Sequence, residues 1–277
     1  MSPAPFPDAS GLWRARRPAM VTPGDALPGR ATRPYPVREQ HAVLDTPLDG
    51  PWPAGSEVLY VAMGCFWGAE RIFWRTPGVV GTAVGYLAGY TPHPTYDEVC
   101  TGRTGHAEAV RVVYDPARVT PQQLIAAFFE NHDPTTADRQ GNDVGTQYRS
   151  GLWWTTPGQR DAALAARAAF SALVQEAGHG PVVTEVRPFD EAAIEAAVEA
   201  AIEAAVAAAR ADGATDSAED DAAAPQVIAD GIGEGGHPGP GAPFYLAEDD
   251  HQQYLDARPW GYCNHGPNGF TCPTGVL

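Results

Sequence analysis

The chain contains no lysine; its eighteen basic residues are all arginine, set against thirty-four acidic ones. Together with abundant alanine, that absence reads as compositional bias and carries no function. The shortage of positive charge says more. A formal net charge of -16 would repel a phosphate backbone, which argues against nucleic acid as a partner. Long hydrophobic runs are missing too. No window of about 18 apolar residues exists to cross a membrane, and the opening "MSPAPFPDASGLWRARRPAM" lacks the continuous apolar stretch of a secretory signal. These absences predict a soluble, cytoplasmic monomer. Cysteine is scarce at four residues in 277, too few for a disulfide scaffold, and a reducing compartment keeps structural bridges open. A cysteine that matters here is expected to matter chemically.

What is present is enough for one core. With 44% hydrophobic residues, the chain can bury a domain of roughly 150 to 200 residues with material left over. Residues 1 to 50 are rich in Pro, Arg and Gly without a sustained period and read as an irregular N-terminal arm, in which Met20 is a second candidate start. The charge is concentrated: Phe189 to Glu234 holds twelve Asp and Glu against one Arg. Within it, "DEAAIEAAVEAAIEAAVAAAR" has the spacing of a helix with a thin apolar stripe and a repelling row of glutamates. The polar, Gly/Pro-rich stretch that follows reads as a linker. The expected organisation is a catalytic domain over 51–277, interrupted by an acidic insert at about 190–240.

Periodicity places the motifs. "EVLYVAM" (57–63) reads as a strand feeding a helix that starts near Phe66 and stops before Pro77. "GVVGTAVGY" reads as a second strand. "HAEAVRVVY" reads as a third, with Glu108, Val110, Val112 and Tyr114 on one face by the period of two. Thr120, Pro121 and Gln123 form a capping-box start for a helix, and Thr156, Pro157 and Gln159 repeat the signal before a helix of 157–177. "QYRSGLWWT" and "PVVTEVRPF" add strands. The expected class is α+β, a two-layer sandwich with a mixed sheet.

Cys65 stands where a strand gives way to a helix, in "GCFWGAE". Unpaired N–H groups and the dipole at a helix N-terminus favour a thiolate, so the position predicts a reactive sulfur with a lowered pKa. The other reading is a small buried hydrophobe. Cys263 and Cys272 lie in a Gly/Pro/Asn-rich tail of mobile composition. With Cys65 they provide what a relay of disulfide exchange needs. A zinc site using Cys263 and His265 is the alternative, although the spacing fits no common zinc pattern. Cys100 has no partner by spacing and reads as a buried thiol.

The segments "GCFWGAE", "GYLAGYTPHPTYDEVCTGRTGHAEAVRVVYDP", "NHDPTTADRQGNDVGTQYRS" and "PFYLAEDDHQQYL" resemble the peptide methionine sulfoxide reductase A family. The resemblance runs from about Ala26 to Phe189 and resumes near Pro243. It implies a thiol enzyme that returns the S epimer of methionine sulfoxide, free or in protein, to methionine, without metal or organic cofactor. It makes Cys65 the nucleophile and Glu108 the acid at the sulfoxide oxygen. Tyr96 and Tyr148 become phenols that bond that oxygen, and Asp143 a carboxylate that orders the site. Phe66 and Trp67 become walls around the S-methyl group. Cys263 would close a disulfide with Cys65, and Cys272 would exchange it toward thioredoxin. Glu70 is expected to be a supporting residue or a helix salt-bridge partner, and His106 and His251 structural hydrogen-bonders. The family pattern runs directly from the "TEV" strand to "PFY", whereas some fifty residues intervene here. Two rival readings remain: a thiol peroxidase, and a redox-regulated binding module whose acidic insert recruits a partner.

Overall fold

Burial is continuous from Leu59 to Met63 because this run forms an inner strand of a sheet covered on both faces. In the computed structural model, residues 18–189 and 243–272 are described. The helix and linker expected within 190–240 lie outside the described residues. β1 (Glu57–Met63) pairs antiparallel with both β3 (Ala107–Tyr114) and β6 (Ser150–Trp154). β2 (Val79–Leu87) joins the far side of β3 and carries β8 (Tyr245–Leu246) on its other edge, while β7 (Glu185–Pro188) runs parallel to β6. The order β7-β6-β1-β3-β2-β8 is thus a mixed sheet, as the alternation of strands and helices in the sequence predicts.

Helices cover one face. α1 (Phe66–Trp74), α3 (Pro121–Glu130) and α4 (Pro157–Glu176) contribute to the same core as Leu59, Val61, Val110, Val112 and Tyr114. At nine residues, α1 is shorter than the roughly 12–15 an isolated helix needs. Phe66 and Phe73, both fully buried, hold it down, each burial being favourable by roughly 1.5–3 kcal/mol. α3 starts with the reciprocal capping box the sequence predicts, Thr120 accepting from the Gln123 N–H and Gln123 from the Thr120 N–H. At α4 only half of that signal is realised. Thr156 accepts from the Gln159 N–H, but the Gln159 side chain accepts from Thr155 and donates to Glu57, Val58 and Tyr114. Its amide is fully buried and serves the seam between α4, β1 and β3. A helix absent from the sequence reading, α2 (Tyr96–Cys100), opens on a full capping box of Thr95 and Glu98, which the T-x-x-E spacing signals.

The other face is covered by chain without regular structure. The part of the N-terminal arm described here, residues 18–50, packs onto the sheet and the chain terminus. Arg30 makes a two-pronged bond to Glu98, the Tyr35 hydroxyl donates to the carbonyls of Pro94 and Leu246, and Arg38 pairs with Asp249. His41 and Leu48 are buried. The arm is irregular, yet it is part of the packed body. On the same face Tyr60 meets two rings, Phe189 at 4.1 Å and Phe244 at 5.2 Å between centroids. These residues flank the interval 190–242, so its two described ends meet at a single side chain of β1. Excising about 190–240 and joining the ends is expected to keep sulfoxide turnover within severalfold of the full chain. The check is specific activity of the soluble, folded deletion variant.

Candidate active site

The turn between β1 and α1 sets the position of Cys65. Gly64 has φ +91°, and a Cβ there would meet Gln140 at 2.3 Å, so both conformation and space require glycine. The turn delivers Cys65 to the N-cap of α1 as a free, buried cysteine. The expected lowering of its pKa is not what the structure gives. Burial pushes the thiol up and the Glu108 carboxylate adds to that, with only a hydrogen bond from the Trp67 backbone N–H pulling down. The helix start offers one donor to the sulfur, and loss of water outweighs it. At neutral pH Cys65 is a thiol.

Glu108 lies on β3 beneath that turn and is 1% exposed, on the helix-covered face with Val110 and Val112 as the alternation predicts. Its Oε2 accepts from the Phe66 N–H at 3.0 Å, and its Oε1 is buried with no hydrogen-bond partner among the described residues. Burial raises its pKa to about 8, opposed by the Phe66 bond and assisted by Asp143. At neutral pH the carboxyl is therefore protonated. In that state it no longer places a negative charge beside Cys65.

Aromatic rings build the surround. The buried Phe66 stacks against Tyr96 at 6.5 Å and lies 5.5 Å from His251. Trp67 stacks on Tyr254 at 4.0 Å, and its Nε1 donates to Nδ1 of His251 at 3.1 Å, with that ring's centroid 5.7 Å away. His251 is the structural hydrogen-bonder expected of it, and with Tyr254 it also adds rings to the wall that sequence reasoning did not name. The H-x-x-Y spacing in "DDHQQYL" is the available signal. His106 too behaves structurally, with its ring nitrogens on the Gly89 N–H and the Thr91 carbonyl. Tyr96 is fixed by its N–H to Glu248 Oε1 at 2.7 Å, while Glu248 Oε2 accepts from the Tyr86 hydroxyl. Tyr148 ends a short 3-10 turn, Thr146–Tyr148. Burial, then the Glu108 charge, raise both Tyr96 and Tyr148, so both phenols keep a proton to donate. Cys100, expected to be buried, is exposed at the end of α2 and shares a hydrogen bond with Tyr96. A five-residue helix on the surface cannot bury both of its sides.

Glu70 is a buried acceptor and makes none of the ion pairs found among the described residues. Oε1 accepts from Thr82 and from Gln253 Nε2, and Oε2 accepts from the Gln253 N–H. His41 Nδ1 accepts from the N–H groups of Val43 and Leu44, so its Nε2 carries the proton and donates to Thr82. This chain of bonds ties α1 and the arm to Gln253, whose left-handed backbone (φ 48°) opens α5 (Tyr254–Ala257) and so aims Tyr254 at Trp67.

The tail completes the site. Asp143, in the two-stranded hairpin of β4 (Arg139–Gln140) and β5 (Asp143–Val144), accepts from the Tyr262 hydroxyl at 2.9 Å and from Asn264 Nδ2 at 2.8 Å. One carboxylate therefore grips the residues on either side of Cys263. Cys263 rests on α1, where Arg71 Nη2 donates to its Sγ at 3.1 Å. It is close enough to Cys65 to influence that thiol. Cys272 is seated on a different element. It is fully buried at the end of α3, with its N–H donating to Glu130 Oε1 at 2.8 Å. Asn268 holds this part of the tail by donating to the carbonyls of Phe129 and His132, and Phe270 packs between Phe170 and His179. The structure thus gathers Cys65, Glu108, Phe66, Trp67, Tyr96, Tyr148, Asp143 and Cys263, and stations Cys272 on α3. Among the described residues no group of three or more His, Cys, Asp or Glu is arranged to hold a metal, and no helix is long and apolar enough to cross a membrane.

A buried thiol beside a protonated carboxyl, within aromatic walls and near enough to a second thiol to feel it, suits reductive chemistry on a small neutral group. Comparison with known proteins agrees. A family model described as peptide methionine sulfoxide reductase matches residues 57–197. The chain is 45% identical to a peptide methionine sulfoxide reductase MsrA of Salinispora tropica, over 95% of this chain and 96% of the relative. It is 46% identical to that of Rhodospirillum centenum, over 96% and 98%. Among solved structures, methionine sulfoxide reductase A of Corynebacterium diphtheriae is 38% identical, with a TM-score of 0.67, covering 93% of this chain and 99% of that one. The chain belongs to the peptide methionine sulfoxide reductase A family, enzymes that reduce methionine sulfoxide.

Proposed function

We propose that the chain reduces the S epimer of methionine sulfoxide, free or in proteins, with Cys65 as nucleophile and Glu108 as acid. The observation that carries this reading is the asymmetry of Glu108: one carboxyl oxygen is fixed by the Phe66 N–H, while the other is buried and bare. A protonated Oε1 needs an acceptor, and a sulfoxide oxygen bound in front of Cys65 is one. Phe66 and Trp67 wall the S-methyl group, a soft apolar fit, and Tyr96 and Tyr148 offer hydroxyl protons to the same oxygen. Family membership and the positions of these side chains support the assignment. The aromatic surround favours it over a peroxidase, since hydrogen peroxide has no apolar group for such walls to hold.

The electron count is simple. Glu108 protonates the sulfoxide oxygen and the Cys65 sulfur attacks as its own proton passes to the vacated Glu108 carboxylate; the S–O bond to the substrate breaks and the hydroxyl passes to Cys65, leaving methionine and a sulfenic acid. Cys263 then forms a disulfide with Cys65 and water departs. Cys272 exchanges onto Cys263, releasing the Cys65 thiol, and a dithiol reductant of the thioredoxin type removes the Cys263–Cys272 bridge. The reaction is placed in the cytoplasm, with residues 51–277 as the catalytic domain of a monomer. The tail must leave α3 for the last exchange, because Cys272 rests there while Cys263 rests on α1.

Turnover with separated epimers tests the reading directly: only the S epimer should yield methionine, and Cys65→Ser should yield none. Glu108 acts while protonated, which holds below about 8. First-turnover methionine release is therefore expected to fall as pH rises through that value. Glu108→Gln should lower the rate by about a hundredfold or more and remove that limb, as measured by rapid-quench rates across pH. Cys272→Ser should spare a dithiothreitol-driven assay and depress a thioredoxin-driven one. Equal loss in the two assays would reverse the assignment of the tail thiols.

A further inference from the structure

We propose that Arg71 and His265 form an activating pair for the second thiol, Cys263, so that closure of the Cys65–Cys263 disulfide is itself catalysed. The inference rests on the sulfenic acid reading above. It begins with Gly68, one turn before Arg71 on α1. A Cβ added there would meet His265 Nδ1 at 2.3 Å and Cys263 Sγ at 2.7 Å, so the imidazole nitrogen and the sulfur converge over one glycine. Arg71 Nη2 already donates to Sγ at 3.1 Å, and the Cys263 thiol donates to the His265 carbonyl at 3.7 Å, so its proton must turn from that oxygen to Nδ1 to be taken up by the ring.

The imidazole is in the state a base needs. Its Nε2 lies 2.7 Å from the Met63 carbonyl, an acceptor only, so Nε2 carries the proton and Nδ1 presents a lone pair. That Nδ1 is buried and has no hydrogen-bond partner among the described residues. Burial holds the ring neutral, with the nearby charges of Asp143 and Arg71 opposing each other. Fixing the tail to Met63 uses Nε2 alone. A buried acceptor left bare needs another explanation, and the adjacent thiol supplies one.

The step balances. As Cys263 sulfur attacks the Cys65 sulfenic sulfur, its proton passes to His265 Nδ1 and the Arg71 guanidinium stabilises the charge gathering on Sγ. The S–S bond forms and the S–O bond of Cys65 breaks. The proton held by His265 goes to the departing oxygen, which leaves as water.

The test is a single turnover with methionine sulfoxide and no external reductant, following released methionine, dimedone-trapped sulfenic acid and the Cys65–Cys263 disulfide. In His265→Gln, which keeps a side-chain donor for Met63, and in Arg71→Ala, closure should slow by about tenfold or more. Sulfenic acid should accumulate although one methionine per chain is still released, and Arg71→Lys should recover part of the rate. Closure within about twofold of the unsubstituted chain in both variants, with methionine still released, overturns the proposal and leaves the sulfoxide reading standing. Failure of the unsubstituted chain to release methionine would instead remove the reading beneath it. If His265→Gln loses its first turnover through misfolding, Arg71→Ala decides the matter, since Arg71 has no bond to Met63.

Discussion

A single hydrogen bond, from the Phe66 N–H to Glu108 Oε2, joins the two halves of the chemistry. The donor is the backbone of the residue after Cys65, and the acceptor is the side chain proposed as the acid. Their relative position is therefore set by covalent geometry and one short contact. It does not depend on two freely rotating side chains. The bond also divides the labour of the carboxyl: Oε2 is occupied, and Oε1 is left for whatever enters the site. The buried surroundings then favour the proton on that group. Location, orientation and protonation of the acid all follow from placing the start of α1 over β3.

Much of this was legible in the sequence. Alternation along "HAEAVRVVY" put Glu108 on the core face, and the strand-to-helix change at "GCFWG" put Cys65 at a helix start. What periodicity misses is depth. The same position that suggests a reactive thiolate on an exposed helix end gives a raised thiol when the end is covered, and covering depends on segments far away in the chain. Asp143 finds its partners in Tyr262 and Asn264, Glu70 finds Gln253, and Trp67 finds His251 and Tyr254. Each pairing joins residues far apart in the chain, so the sequence could name Glu70 as a supporting residue and His251 as a hydrogen-bonder without naming the partners. The exposure of Cys100 goes unread because the helix that carries it is too short to show a buried stripe.

The arm and the tail deserve to be seen as one wrapping. His41 from the arm, Thr82 from β2, Glu70 from α1 and Gln253 from the C-terminal turn are linked without a break. This network fixes Gln253, the residue before Tyr254 of the aromatic wall. Chain beyond the sheet thus does two jobs: residues 18–50 brace the wall, and residues 260–272 bring in the sulfurs.

The seat of the tail has a consequence for timing. Asn268 covers the carbonyls of Phe129 and His132 where α3 ends, and its own N–H covers that of Glu130. A tail lifted from α3, as the proposed exchange requires, would leave those oxygens to water and Phe270 without its slot. The same contacts would give the segment a marked berth to return to.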